Sequence, residues 1–129
     1  TVPKYVFDAA IMDRNENLKV DAEPLIEFLK QRAVNPVSKQ FYFGPRFSGS
    51  PFHFHGHAAN FQMHGIKQWF LLPPNETFYD VTSAMLLNET ELARLDQEAH
   101  LHTCWQEPGD ILVVPDGWGK SVHLCVREQ

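Results

Sequence analysis

Cysteine is scarce in this 129-residue chain, which holds only Cys104 and Cys125. At most one internal disulfide can form, so no cysteine framework staples the fold, and no C-x-x-C pair offers a zinc or redox motif. Two buried free thiols and one bridge both stay open. Long apolar runs are missing as well. None approaches the roughly 20 residues that a membrane-crossing helix needs, so no membrane partner is expected. Positive charge is in short supply. Eleven Lys and Arg stand against 16 Asp and Glu, a net charge of −5, and a nucleic-acid binder usually shows the reverse balance on one face. There is no phosphate-binding glycine loop, no nucleophile elbow, no internal repeat and no low-complexity tract. No signal peptide is visible in these residues, and that absence decides nothing about compartment.

What is present fits a globular chain. With 43% hydrophobic and 21% charged residues, the length suffices for one core and not for two. A single domain over 1–129 is expected, with its core in 39–126 and an N-terminal strand and helix in 1–38. Tyr5–Asp8 reads as a short strand. Asp21 caps a helix starting near Pro24, with Leu25, Phe28 and Leu29 on one face. Phe41–Phe43 is a further strand. Phe61–Leu72 reads as one long strand with a possible break at Gly65, stopped by Pro73-Pro74. Asp80–Asp110 gathers acidic residues and reads mainly as a solvated connection, with a helical stretch starting at Asn88 or Glu89. Thr103–Gln106, Ile111–Val114 and Ser121–Val126 complete the strands, separated by turns at Pro108-Gly109 and Pro115-Asp-Gly117. Trp105 and Trp118 read as core aromatics. Short strands punctuated by Gly and Pro, with helices outside, describe a small all-β barrel or sandwich.

Four of the seven histidines lie between residues 53 and 64. On an extended strand, side chains at i and i+2 share a face, so His53 and His55 point one way while Phe52 and Phe54 point the other. Burying two neutral imidazoles without partners costs several kcal/mol by order of magnitude. Either that face is wet or it binds something. An H-x-H pair can share one metal ion, since imidazole is the commonest protein ligand; a solvated polar strand face is the plainer reading. His57 and His64 are separated from the pair by a turn expected at Gly56. In Phe61–Leu72, Phe61, Met63, Lys67, Trp69 and Leu71 share parity. Lys67 is the misfit among apolar groups: it either snorkels to water or serves as the cation for a bound carboxylate. In the last strand, Lys120, Val122, Leu124 and Val126 share one face, and Ser121, His123 and Cys125 the other. Two N-x-T sequons, at Asn75 and Asn88, raise the secretory pathway, with the endoplasmic-reticulum lumen as one compartment.

Three segments together carry a family resemblance. Ser50-Pro-Phe-His53-Phe-His55, then Gly65-Ile-Lys67-Gln-Trp69-Phe-Leu-Leu-Pro73-Pro74, then Gly109-Asp-Ile-Leu-Val-Val-Pro115-Asp-Gly-Trp118 resemble the JmjC domain, a branch of the iron- and 2-oxoglutarate-dependent oxygenases. The look is nearest to small JmjC-only proteins of the secretory pathway. The resemblance implies a mainly β, double-stranded β-helix (jelly-roll or cupin barrel) with peripheral helices. It implies Fe(II) and 2-oxoglutarate as cofactors if the domain is active. The family's first metal histidine falls on His53 and its second ligand, usually a carboxylate, on His55. Its third ligand, a histidine, falls on Lys120. The hydroxyl and the lysine that meet the 2-oxoglutarate carboxylate fall on Ser50 and Lys67, and Asn60 lies near a polar pocket position.

The departures from the family pattern set the functional alternatives. A two-histidine, one-carboxylate site suits Fe(II) and leaves coordination positions open. Here the carboxylate is replaced by His55, and the third ligand by a residue that is cationic at neutral pH. His123 is the fallback third ligand only if a β-bulge turns it inward. One reading is therefore a degenerate domain, a non-catalytic or weakly active module binding a small carboxylate or a protein, with Lys120 in the metal's place as a fixed charge. A second is an active oxygenase, of hydroxylase or demethylase type, with an unusual histidine-based metal site. A third is a zinc or copper site built from His53, His55, His57 and His64.

Overall fold

The computed structural model describes residues 6–8, 10, 14, 23–32, 39–54, 56–76 and 86–125. The chain divides into two compact units, Val6–Phe43 and a larger one that includes everything from Gly44 onward. In the smaller unit β1 (Val6–Asp8) pairs antiparallel with β2 (Phe41–Phe43). The rings of Phe7 and Tyr42, opposite one another in that register, lie 5.2 Å apart. Helix α1 (Glu23–Lys30) buries Leu29, while Phe28 stays open under the Arg32 guanidinium, 3.7 Å from its ring centroid. The Asp21 cap, and the Leu25 side chain expected beside Leu29, lie outside the described residues.

The larger unit contains β3 (Gly49–His53), β4 (Ala58–Phe61), β5 (Ile66–Leu72), helix α2 (Glu89–Ala99), β6 (His102–Gln106), β7 (Ile111–Val114) and β8 (Gly119–Cys125). The four-stranded sheet runs β3-β8-β5-β6, antiparallel throughout, and β4 pairs with β7 as a second sheet. The last strand thus returns to lie between β3 and β5. The architecture is mainly β and of jelly-roll type. Among the described residues, hydrogen bonding does not close the two sheets into a barrel.

Strand alternation gives the large sheet two different faces. One carries Phe52, Phe70 and Leu72, which pack on Leu95 and Ala99 of α2. The other carries Trp69 and Val122, which pack on Val114 of the second sheet. Each of these side chains contributes about 1.5–3 kcal/mol when fully buried. Helix α2 starts where a capping box permits: Asn88 Oδ1 accepts from the Glu91 N–H at 2.9 Å, and Glu91 Oε2 accepts from the Asn88 N–H at 2.9 Å. The helix expected from Asn88 or Glu89 and the strand expected at Thr103–Gln106 are present as α2 and β6. Tight turns follow the glycines. Gly65 (φ 74°) and Gly109 (φ 96°) occupy left-handed backbone that a side chain disfavours.

Two expectations are corrected here. Phe61–Leu72 is not one strand. The chain turns at Gln62–Gly65, so Phe61 and Met63 fall outside the apolar face around Lys67 and stay 42% and 49% exposed. Trp105 is not a core aromatic. It stands on the edge strand β6, opposite Gln68, and is 58% exposed. Trp118 does join the inner cluster, partly buried.

The packing of β3 on β8 leaves no room for a side chain at residue 49. A Cβ built on Gly49 meets the Val122 carbonyl oxygen at 1.9 Å, whereas one on Gly56 meets nothing within 4 Å. Replacing Gly49 by Ala is expected to lower stability by about 1–3 kcal/mol in urea unfolding. Gly56→Ala should stay within about 0.5 kcal/mol of the parent. Equal midpoints for the two variants would show that β3 shifts freely.

Candidate functional site

The inner face of the large sheet is read directly from its register. Lys120 stands opposite His53 on β3 and Leu71 on β5, and Leu71 in turn opposite His102 on β6. The next row is Ser50, Val122, Trp69 and Cys104. The row beyond it is Leu124, Lys67 and Gln106. Four of the candidate residues, Ser50, His53, Lys67 and Lys120, thus lie on one face. A bulge makes this possible. Ser50 and His53 differ in parity, but the register of β3 shifts between them, so both come opposite residues of like parity on β8.

At one end of the face sits a polar cluster. Lys67 is buried, donates to Asn60 Oδ1 at 3.1 Å, and holds its Nζ 5.5 Å from the Trp69 ring centroid. Burial depresses its pKa to about 8. Asn60 belongs to β4, so this bond ties the two sheets together. Gln106 makes a second tie. Buried on β6, it accepts from Trp69 Nε1 at 2.8 Å and donates through Nε2 to the carbonyls of Asn60 at 2.8 Å and Asp110 at 3.1 Å. Sequence reasoning did not single out Gln106. Its signal was the same as that of Lys67: a polar residue on the buried parity of a strand that also carries Cys104.

At the other end stand His53 and Lys120. His53 is half-buried, and its Nδ1 lies 2.8 Å from the Pro51 carbonyl. A carbonyl only accepts, so Nδ1 carries the proton and the lone pair of the neutral ring is on Nε2. With Nδ1–H held by a carbonyl, Nε2 is the nitrogen able to ligate a metal. His55 lies outside the described residues. Lys120 is 1% exposed, and its Nζ has no hydrogen-bond partner among the described residues. Burial lowers its pKa, and the Asp116 carboxylate opposes that shift. Ser50 Oγ is likewise buried with no hydrogen-bond partner among the described residues, while its carbonyl accepts from Ser121 Oγ at 2.7 Å.

The remaining histidines are elsewhere. His123 sits on the opposite face, paired with Gly49 and Gln68, and its ring stacks on Phe47 with centroids 5.9 Å apart. Burial and the neighbouring Arg46 depress its pKa. The bulge that would turn it inward is absent, since β8 keeps an unbroken register with β5. His57 and His64 flank β4 at opposite ends. His57 is exposed and accepts from the Asp116 N–H at 3.1 Å. His64 is exposed in the turn before β5. A site gathering all four clustered histidines is therefore not what this backbone builds.

The donor set can be tested against Fe(II). His53 offers an Nε2 lone pair in the tautomer its Nδ1 contact implies. The third position does not fit, because a buried ammonium repels a divalent cation and offers it no lone pair. Among the described residues, no group of three His, Cys, Asp or Glu side chains converges on one point.

Two antiparallel sheets with a buried polar row on the inner face define the class as a cupin-like jelly-roll. Comparison with known proteins narrows it. No protein-family model matches the chain. The zebrafish (Danio rerio) 2-oxoglutarate and iron-dependent oxygenase JMJD4 is 33% identical over 95 residues, covering 64% of this chain and 22% of that protein. Human JmjC domain-containing protein 8 is 38% identical over 74 residues, 55% of this chain and 28% of the relative. The Arabidopsis thaliana arginine-specific demethylase JMJ20 is 30% identical over 96 residues, 64% and 20% respectively. The chain is similar to these JmjC-domain proteins at modest identity, and it spans only 22%, 28% and 20% of their respective lengths.

The buried ammonium of Lys67 has a consequence for stability. Its folded pKa, about 8, lies below the ordinary 10.5, so between those values the unfolded chain binds more protons than the folded one. Stability contributed by this group therefore rises with pH across that window. Lys67→Met is expected to remove the rise. The check is the difference in unfolding free energy between parent and variant at pH 7.5 and pH 10. A difference that does not change with pH would contradict the burial of this charge.

Proposed function

We propose that this chain is a JmjC-fold domain that binds a small carboxylate through Lys67 without iron-dependent oxidation. The observation that carries the reading is Lys120. Its Nζ is buried without a hydrogen-bond partner among the described residues, directly across from His53, where the family resemblance calls for a third metal ligand. An ammonium in that place supplies one fixed positive charge where the family's oxygenases use a metal. The other end of the face keeps what anion binding needs: a buried amine, the Asn60 amide that orients it and the wall of Trp69. Water exclusion by Trp69, Val122 and Val114 strengthens any charge pair formed there. The names of the relatives point to 2-oxoglutarate as one carboxylate of suitable chemistry.

Two measurements test the reading. Anaerobic loading with Fe(II), followed by 2-oxoglutarate and oxygen, should leave no stoichiometric iron on the domain and yield no succinate above the rate of a His53→Ala variant. Retained iron with turnover abolished by that variant would replace the proposal with an active oxygenase. Calorimetric titration with 2-oxoglutarate should show binding at pH 7 that weakens tenfold or more in Lys67→Ala. Binding should also decline as pH rises past about 8, where Lys67 loses its proton. A bound carboxylate moves that decline upward, because it favours the charged amine.

A further inference from the structure

The start of α2 combines a sequence motif with a geometry that the inner face of the sheet does not use. Asn88, Glu89 and Thr90 form an N-x-T sequon, and all three residues are exposed. Asn88 is the N-cap of the helix, with extended backbone at φ −77° and ψ 169°. Its Oδ1 accepts from the Glu91 N–H at 2.9 Å, and its main-chain N–H donates to Glu91 Oε2 at 2.9 Å. The work of the side-chain amide is thus divided. The oxygen holds the start of the helix, while Nδ2 makes no hydrogen bond among the described residues. Substitution on that nitrogen leaves an amide, so the oxygen remains an acceptor and the capping box survives. Leu92, Leu95 and Ala99 turn the apolar side of α2 onto Phe52, Phe70 and Leu72. A group attached at Asn88 therefore stands on the side of the large sheet opposite the face of Trp69 and Val122. Asn75, which heads the other sequon, is a poorer case. Its Nδ2 lies 3.4 Å from Glu76 Oε1, an oxygen that also meets His100 Nδ1 at 3.3 Å, and Thr77 lies outside the described residues.

We propose that Asn88 is a glycosylation site, with an oligosaccharide on Nδ2 at the head of α2 and the helix cap kept intact beneath it. The sugar comes from a polyprenyl-diphosphate oligosaccharide. Asn88 Nδ2 gives up one hydrogen as a proton and bonds to the anomeric carbon of N-acetylglucosamine. The bond from that carbon to the diphosphate oxygen breaks, and the lipid diphosphate leaves with the electron pair. The Thr90 hydroxyl, two residues on, completes the acceptor motif. The folded domain has room for the product, since a glycan is bulky and needs a surface position. The outer side of α2 is polar as well as open: Arg94 pairs with Glu98 at 3.3 Å, and Asp96 and Gln97 are exposed. A solvated sugar there displaces no packing. Such a transfer takes place in the lumen of the secretory pathway, so the site and that compartment stand together. Neither depends on what the inner face binds.

The test is peptide mapping by mass spectrometry of the protein purified from its natural source, before and after peptide N-glycanase. That enzyme releases the sugar and leaves aspartate in place of a modified asparagine. The expected result is an oligosaccharide on the peptide spanning Asn88, and conversion of that residue on treatment. In cells that make the protein, Thr90→Ala should abolish the modification at residue 88 and Thr90→Ser should retain it. Asn88→Asp should also abolish it, while its carboxylate still accepts from the Glu91 N–H. Both Thr90 variants keep Asn88 and Glu91, and their far-UV circular dichroism should match that of the parent, which separates loss of sugar from loss of the helix. An unmodified Asn88 in the protein from its source overturns the proposal, and so does sugar confined to Asn75. Sugar that persists at residue 88 in Thr90→Ala overturns it too. Mapping of the parent protein needs no variant to fold.

Discussion

The register of β8 between β3 and β5 is the constraint on which the rest of the larger unit depends. Because side chains alternate along a strand, a slip of one residue would exchange the two faces entirely. It would carry His123 inward and put Lys120 against α2. The pairing is held on both sides. Toward β5 it runs without interruption from Ile66–Cys125 to Leu72–Gly119. Toward β3 it is fixed by the close approach of Gly49 to the Val122 carbonyl and by the Ser121 hydroxyl donating to Ser50. The apolar groups then make the choice energetically one-sided: Phe52, Phe70 and Leu72 fit under α2, and Trp69 and Val122 fit against Val114.

Given that register, the polar groups of the inner face sort themselves by what satisfies them. At the Lys67 end, Asn60 and Gln106 form a connected set of hydrogen bonds that also joins the two sheets. Connected buried polar groups rigidify a structure, and unconnected ones destabilise it. At the Lys120 end Nζ and Ser50 Oγ have no hydrogen-bond partner among the described residues. One end of the face is therefore organised by its own hydrogen bonds, and the other, among the described residues, is not. A fold that merely needed stability would place a methionine or leucine at residue 120, since replacing an unsatisfied buried charge by an apolar group of like volume removes its desolvation penalty.

Particular residues show how far sequence patterns reach. The parity of Lys67, Trp69 and Leu71 was visible in the string, and so was the division of β8 into a Lys120 face and a His123 face; both describe the backbone pairing found. The capping box at Asn88 and the turns at Gly65 and Gly109 follow from local chemistry alone. Trp105 was misread because burial depends on what covers a strand, and β6 is an edge. Phe61 and Met63 were misread because the turn at Gly65 ends one sheet and begins the other, so parity does not carry across it. Gln106 shares the parity of Cys104 on its strand, but the partners that give it a role, Asn60 and Trp69, lie 46 and 37 residues away.

Composition and local pattern by themselves determined that this chain is mainly β with a helix capped at Asn88, and which residue types fall at the positions that the family resemblance marks. Those follow from interactions between residues near in sequence: alternation, turns, caps and motif spacing. Only the tertiary structure decided that Ser50 and His53 share a face despite their parity, that Lys120 is sealed from water across from His53, and that Lys67 is braced by Asn60 from the other sheet. The physical reason is that a bulge, burial and a cross-sheet hydrogen bond are properties of pairs brought together by folding, and none of them is carried by either partner alone.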